Sequence, residues 1–214
     1  EDRLKGVVDL VEMKAILWRD ATLGATYDVE EIPTDMRELT EKKRAELIER
    51  VSEQDDALFE QYIEGGTISK EDLKAGIRRA TIAIKITPVV CGSAFKYKGV
   101  QRLLDAVVDY LPSPLDVPPV QGTDLEGVHT LERKSDDKEP FAGLIFKILT
   151  DSYIGQLAFM RIYSGVIKAG GSVYNVAKGR NERIGRLLRM HANKREEIED
   201  SCAGDIIAVV GLKT

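Results

Sequence analysis

The chain has 214 residues and 43% apolar content, enough for one large or two ordinary domains with filled cores. Its net charge of −5 is uneven: residues 1–112 hold 17 Lys/Arg against 22 Asp/Glu, whereas residues 113–214 are balanced at 14 each. The longest uncharged apolar run near the C-terminus, Ile206 to Leu212, is far short of a membrane span, and the opening Glu-Asp-Arg-Leu-Lys is charged where a secretory leader needs apolar residues.

Gly6–Val11 reads as a short strand and Met13–Trp18 as its hairpin partner. Pro33-Thr34-Asp35 starts a helix, with Thr34 as cap and Asp35 and Glu38 at its positive end. An apolar seam at Leu47, Ile48, Val51, Leu58, Phe59 and Tyr62 carries that helix to about Ile63, where Gly65-Gly66 stops it. Ser69, with Asp72 three residues on, caps a second helix. Thr81–Val90 is β-branched and contains Pro88, so it reads as an edge strand. Val100–Leu111 is an amphipathic helix. Four prolines within residues 112–119 make a stiff extended linker, and Thr123–Asp137 reads as a polar loop. Beyond it, Leu144, Phe146 and Ile148 alternate with Ile145, Lys147 and Leu149, and Leu157–Tyr163 forms another strand. Turns at Ser164-Gly165, Gly170-Gly171, Lys178-Gly179 and Ala203-Gly204-Asp205 space several short strands as in a small antiparallel barrel.

Four features bear on chemistry. First, Cys91-Gly92-Ser93-Ala94-Phe95-Lys96 falls between the Thr81–Val90 segment and a helix, which is where a P-loop GTPase places the turn that reads guanine. Small side chains let backbone N–H groups approach the O6 acceptor of the ring; Ser93 and Ala94 would donate, with Phe95 packed beneath. The chain has no G-x-x-x-x-G-K-[ST] loop to cradle phosphates. Second, Glu46, Glu49, Glu53, Asp56 and Glu60 recur at three- and four-residue spacings. They form either a solvated helix face or a docking stripe for a basic protein. Third, Lys168–Arg195 contains eight basic residues and one acid, Glu182. This stripe lacks interleaved aromatics, so it is either a solvated face or one suited to phosphate-backbone contact. Fourth, Cys91 and Cys202 are too few for a disulfide framework or a zinc site, and their apolar neighbours suggest buried, reduced thiols. His129 and His191 have no nucleophile or carboxylate constellation in the sequence, so no catalytic residue and no metal site is expected. Asn193-Lys194-Arg195-Glu196 is similar to N-K-x-D but ends in Glu and follows the Ser-Ala turn. Asp124-Leu125-Glu126-Gly127 matches D-x-x-G with no strand before it. Neither is taken as a nucleotide motif.

Residues 5–15, Cys91–Val100, Leu104–Pro114, Tyr163-Ser164-Gly165 and Met190–Ile198 together resemble translation elongation factor G, the ribosomal translocase GTPase. The resemblance implies an α/β fold followed by an all-β translation-factor barrel. The α/β part would be a partial P-loop GTPase domain with an α+β G-prime insert. On that reading residues 1–85 are the insert, 86–112 the closing strand and helix of the GTPase domain, 113–137 a linker, and 138–214 the barrel, C-terminally incomplete. It further implies guanine contact by Gly92, Ser93, Ala94 and Phe95. Small-subunit rRNA would be met by Arg161, Ser164, His191, Asn193, Lys194 and Arg195, and a stalk-protein C-terminal domain by Glu46, Glu49, Glu53 and Asp56. GTP or GDP with Mg²⁺ would belong to the intact parent and not to this chain, whose expected partner is the cytoplasmic ribosome, with neither membrane nor DNA. A related ribosome-protection GTPase and a free-standing RNA- or protein-binding module are the competing accounts. The long insert with its acidic helix argues against a release factor, and the orphan Ser-Ala turn argues against the free-standing module.

Overall fold

The computed structural model describes residues 4–19, 24, 26–124, 126–151, 155–192 and 194–212. The chain divides into two compact units, Glu1–Pro112 and Ser113–Thr214.

In the first unit, β1 (Gly6–Asp9), β2 (Lys14–Trp18) and β3 (Tyr27–Glu30) form a three-stranded antiparallel sheet in that order. The β1–β2 turn is held by the Asp9 carboxylate, which accepts from the Val11 and Glu12 amides at 2.8 and 2.9 Å. Ala15, Ile16 and Trp18 of the central strand are buried. Three helices follow: α1 (Thr34–Ser52), α2 (Asp56–Ile63) and α3 (Lys70–Ile82). Their shared core is Val51, Leu58, Ile68, Leu73 and Ile77, with Leu47, Ile48, Ile86 and Tyr110 packed around it. A single 3₁₀ turn at Ala94–Lys96 leads into α4 (Val100–Tyr110).

Three local expectations change here. The long helix is two helices, because Asp55 adopts an extended conformation and spends its carboxylate on the Leu58 amide at 3.0 Å. That local bond competes with the helical one and restarts the chain as a new N-terminus. Thr34 does not cap α1; the capping position is Pro33, with no side-chain bond. Thr81–Val90 is not a strand. Thr81 lies inside α3 with its hydroxyl donating to the Ile77 carbonyl at 2.6 Å, and residues 86–92 pair with no strand among the described residues. β propensity without a ladder partner leaves the local helix signal to win. The other helix signals appear as read. Ser69 accepts from the Asp72 amide at 3.0 Å, and α2 ends in a Schellman motif. In that motif the Gly66 and Gly65 amides return to the Gln61 and Tyr62 carbonyls.

The second unit opens with the β4 (Val120–Thr123) and β5 (Thr130–Arg133) hairpin, inside the stretch expected to be linker and loop. Then come β6 (Ala142–Asp151), β7 (Gly155–Ser164), β8 (Val166–Lys168), β9 (Ser172–Asn175), β10 (Arg180–Arg183), β11 (Arg186–His191), β12 (Lys194–Ile198), β13 (Asp200–Cys202) and β14 (Ile206–Val210). Five of them make an antiparallel sheet in the order β12-β11-β14-β7-β6, and β9–β10 and β8–β13 form two-stranded ribbons. Strand β14 lies at the centre, and its residues 207–209 are buried on both faces: Ile207 and Val209 join Met160, Ile162, Ile184 and Leu187, while Ala208 joins Leu157 and Leu188; Ile206 at its start is exposed. That is why Ile207–Val209 reads as an unbroken apolar run instead of an alternation. The thiols differ from expectation, since Cys91 is exposed and Cys202 only partly buried.

Candidate functional site

The Ser-Ala turn is a closed loop of backbone bonds. Ser93 N–H donates to Lys98 O at 2.8 Å and Lys98 N–H returns to Ser93 O at 3.0 Å, while Lys96 and Tyr97 amides point back to Ser93 O and Ala94 O. Gly92 is demanded by crowding, since a Cβ there would sit 2.7 Å from the Lys98 carbonyl oxygen. Two details depart from the expected roles. The Ser93 amide is consumed inside the loop, so Ala94 and Phe95 carry the amides left for a ligand. Phe95 does not pack beneath the turn; it is 78% exposed, with the Lys96 ammonium 5.8 Å from its ring centre. The Ser93 hydroxyl is buried and has no hydrogen-bond partner among the described residues. The Ala94 and Phe95 amides have no backbone acceptor among the described residues. The sequence has no glycine-rich lysine loop of the kind that holds phosphates and Mg²⁺. Among the described residues no group of three or more His, Cys, Asp or Glu side chains is placed to hold a metal ion.

The acidic residues occupy two helices instead of one face. Glu46 and Glu49 lie on α1, Glu53 is its C-cap, and Asp56 and Glu60 belong to α2. Glu46 pairs with Lys43 at 2.7 Å and Glu53 with Arg50 at 3.5 Å. The Lys43 ammonium holds the Glu46 carboxyl below its ordinary value. Glu49, Asp56 and Glu60 are exposed and make no ion pair among the described residues. The corner between the helices is locked by Asp55, which is 7% exposed and bound by Arg79 through Nε at 2.6 Å and Nη2 at 2.8 Å. Sequence reasoning passed over this pair because its partners are 24 residues apart.

On the second unit the basic residues are not a bare stripe. Register sets Arg189 opposite Glu196 and His191 opposite Lys194 across β11–β12. Glu196 therefore lies 3.9 Å from Arg189 and 3.5 Å from His191 Nε2, while Glu197 lies 3.9 Å from Arg186. On β10, Arg180 reaches Glu182 at 3.3 Å. Lys194 and Arg195 are exposed at the start of β12, and Asn193 lies outside the described residues. Ser164 cannot be a surface contact: it is fully buried and its hydroxyl donates to the Pro140 carbonyl at 2.7 Å, tying β7 to the entry of β6. Arg161 is half-buried, its guanidinium 5.4 Å from the Tyr163 ring centre. It lines a cavity of about 400 Å³ together with Arg133, Lys134 and the proline-rich segment 114–120. Arg133 and Lys134 escaped notice because they sit in a stretch read as loop; the alternation Thr130-Leu131-Glu132-Arg133 is the signal that marks them as strand.

Residues 140–214 match the family model of elongation factor G domain 2. The chain is also similar to a protein of Thermus thermophilus whose crystal structure is known. Sequence identity is 26% and the TM-score 0.72, over 96% of this chain and 27% of that one. The chain thus spans about a quarter of the length of that protein. Its sheet-rich second unit has the barrel-like fold of elongation factor G domain 2. No helix among the described residues is long and apolar enough to cross a membrane.

Proposed function

We propose that this chain is part of a GTP-dependent ribosomal translocase of the elongation factor G type, working on the cytoplasmic ribosome. The observation that carries the reading is the match of residues 140–214 to the second domain of that factor. The Gly92–Phe95 turn before α4 and the helical insert before it supply independent support. Within the parent, this chain contributes the guanine-facing Ala94–Phe95 edge and two docking surfaces. The Glu49–Asp56 corner of α1 and α2 meets a basic stalk-protein domain. The Lys194–Arg195 end of β12, with Arg161, meets small-subunit rRNA. Residues 86–112 belong to the GTPase domain, consistent with the exposed apolar stripe Leu103, Leu104, Val107 and Val108 on α4, continued by Leu111 just past its end.

Co-sedimentation with ribosomes tests the reading. The chain is expected to pellet with them, and charge reversal at Lys194 and Arg195 is expected to release most of it. A chain that stays in the supernatant at low salt would overturn the assignment. Calorimetric titration with a stalk-protein C-terminal domain tests the acidic corner separately. Glu49→Lys with Glu53→Lys should abolish binding, and unchanged affinity would remove that surface from the account.

A further inference from the structure

Helix α2 buries one large apolar side chain and leaves three outside. Leu58, 2% exposed, enters the space that Gly76 of α3 leaves open, whereas Phe59, Tyr62 and Ile63 are 47, 44 and 67% exposed. Phe59 and Ile63 are one turn apart with Tyr62 next to them, so the three form an outward apolar row. Beside it runs a second row at four-residue spacing, Asp56, Glu60 and Glu64, all exposed. Both ends of the helix are pinned. Asp55 caps its start while bound by Arg79, and the Gly65 and Gly66 amides close its end, with the Gln61 side chain donating to Thr67 O at 3.1 Å. The two rows are therefore presented on a fixed element, which lowers the ordering cost of binding.

The charges on α2 oppose its own stability. Acids one turn apart repel, and Glu60 and Glu64 lie at the C-terminal end, where the helix dipole favours cations. The helix carries no basic residue, and among the described residues none of its three acids makes an ion pair. Helix α1 shows the contrast, since Glu46 is paired with Lys43 and Glu53 with Arg50. The unneutralised acids thus lie on the helix that also leaves its apolar residues in water, and a partner with cations beside an apolar row answers both. The face spans about 12 Å at 1.5 Å per residue, and its rows repeat every fourth residue, as the ridges of a second helix do. A second copy of the chain fits poorly, because Lys70, Lys74 and Arg79 of α3 and Arg102 of α4 already pair with carboxylates of their own chain.

We propose that the outer face of α2 docks a basic amphipathic helix of another protein. The partner's apolar row covers Phe59, Tyr62 and Ile63, and its lysines or arginines meet Asp56, Glu60 and Glu64. This surface goes beyond the acidic corner, whose test residues Glu49 and Glu53 belong to α1 and its C-cap, and it stands or falls separately from that reading.

The test is fluorescence anisotropy of a labelled amphipathic Leu/Lys peptide, about four helical turns long, titrated with the whole chain. The control is a peptide of the same composition whose scrambled order has no apolar face. The amphipathic peptide should bind about tenfold or more tightly than the scrambled one. Phe59→Ser with Ile63→Ser, with the fold verified by thermal melting, should weaken binding about tenfold at low salt and at about 0.5 M salt alike, because apolar contact is not screened. Glu60→Lys with Glu64→Lys should weaken it mainly at low salt while leaving the melting temperature unchanged or raised, since a cation suits that end of the helix. Val107→Ser with Val108→Ser on α4 should leave binding as it is. Equal binding of the two peptides, unchanged affinity in the Phe59→Ser/Ile63→Ser chain, or loss of binding in the α4 variant would each overturn the proposal. So would a concentration-dependent dimer in sedimentation that Phe59→Ser/Ile63→Ser dissolves, because the face would then serve a second copy. The stalk-protein titration with Glu49→Lys and Glu53→Lys reports on the acidic corner independently of the peptide.

Discussion

Asp55 shows how one side chain sets a corner. It caps α2, accepts two bonds from Arg79 and is nearly enclosed. The Arg79 hydrogen bonds hold its carboxyl below the ordinary value despite the opposing effect of burial. A carboxylate with a depressed folded-state pKa stabilises fully above its unfolded value of about 4, and that contribution is lost as pH falls through the folded value. Asp55→Asn keeps an oxygen to cap α2 but loses the charge opposite Arg79, and should therefore lower stability at neutral pH by about 2 kcal/mol through the ion pair alone. Urea titrations across pH 2–7 should show the difference from the parent shrinking below about pH 4; a pH-independent difference would contradict the assignment. Ile84 gives the opposite case. It ends α3 at φ +59°, 91% exposed, in the Schellman position that favours glycine, with the Lys85 amide on Ala80 O and the Ile84 amide on Thr81 O. A β-branched residue is strained there and buries nothing in return. Ile84→Gly should stabilise by about 1 kcal/mol, read as a rise in the urea midpoint at unchanged slope.

At the scale of elements, α2 and α3 approach so closely that Gly76 cannot bear a side chain. A Cβ there would lie 2.1 Å from Leu58 Cδ1 and 3.2 Å from Val51 Cγ1, and both partners are at most 2% exposed. Gly76→Ala raises helix propensity by about 1 kcal/mol, yet the overpacking should win and leave a net loss of about 1–2 kcal/mol. A raised melting temperature would mean that Leu58 can turn aside. Which parts were legible in the sequence follows the same division. Local signals were readable: the Ser69 cap, the Gly65-Gly66 stop, the β1–β2 hairpin and the alternation in the second unit each depend on neighbours within a few residues. What escaped depends on distant partners. The lock that Arg79 puts on the Asp55 corner spans 24 residues, and the fate of Thr81–Val90 turned on whether a strand lay alongside. The opposition of Glu196 and Glu197 to the basic residues is a matter of cross-strand register, so Lys168–Arg195 looked more cationic in sequence than it is in space. Ser164 was named for its place in a short motif, whereas its burial comes from the return of the chain at Pro140.

Across the whole chain, base recognition and phosphate binding are separable, and the sequence has no glycine-rich lysine loop for the second. On the proposed reading a guanine ring would meet the Ala94 and Phe95 amides, about two neutral hydrogen bonds whose net value is about 1 kcal/mol each. Micromolar affinity requires about 8 kcal/mol, and in P-loop proteins the phosphate cradle and Mg²⁺ supply the charged part of it. With no glycine-rich lysine loop in the sequence, two neutral contacts fall short by several kcal/mol before ordering costs are counted. A fluorescent GDP analogue titrated into the chain should therefore show no saturation through the micromolar range, and GTP should not be hydrolysed above the rate in buffer. If the proposed docking surfaces hold, ribosome binding should survive in the same preparation and should weaken steeply with salt as contacts by Lys194 and Arg195 release counterions. Saturable micromolar GDP binding would mean that residues outside the described turn hold the phosphates. Loss of ribosome and GDP binding together would point instead to a misfolded chain, which the thermal transition of the same sample distinguishes.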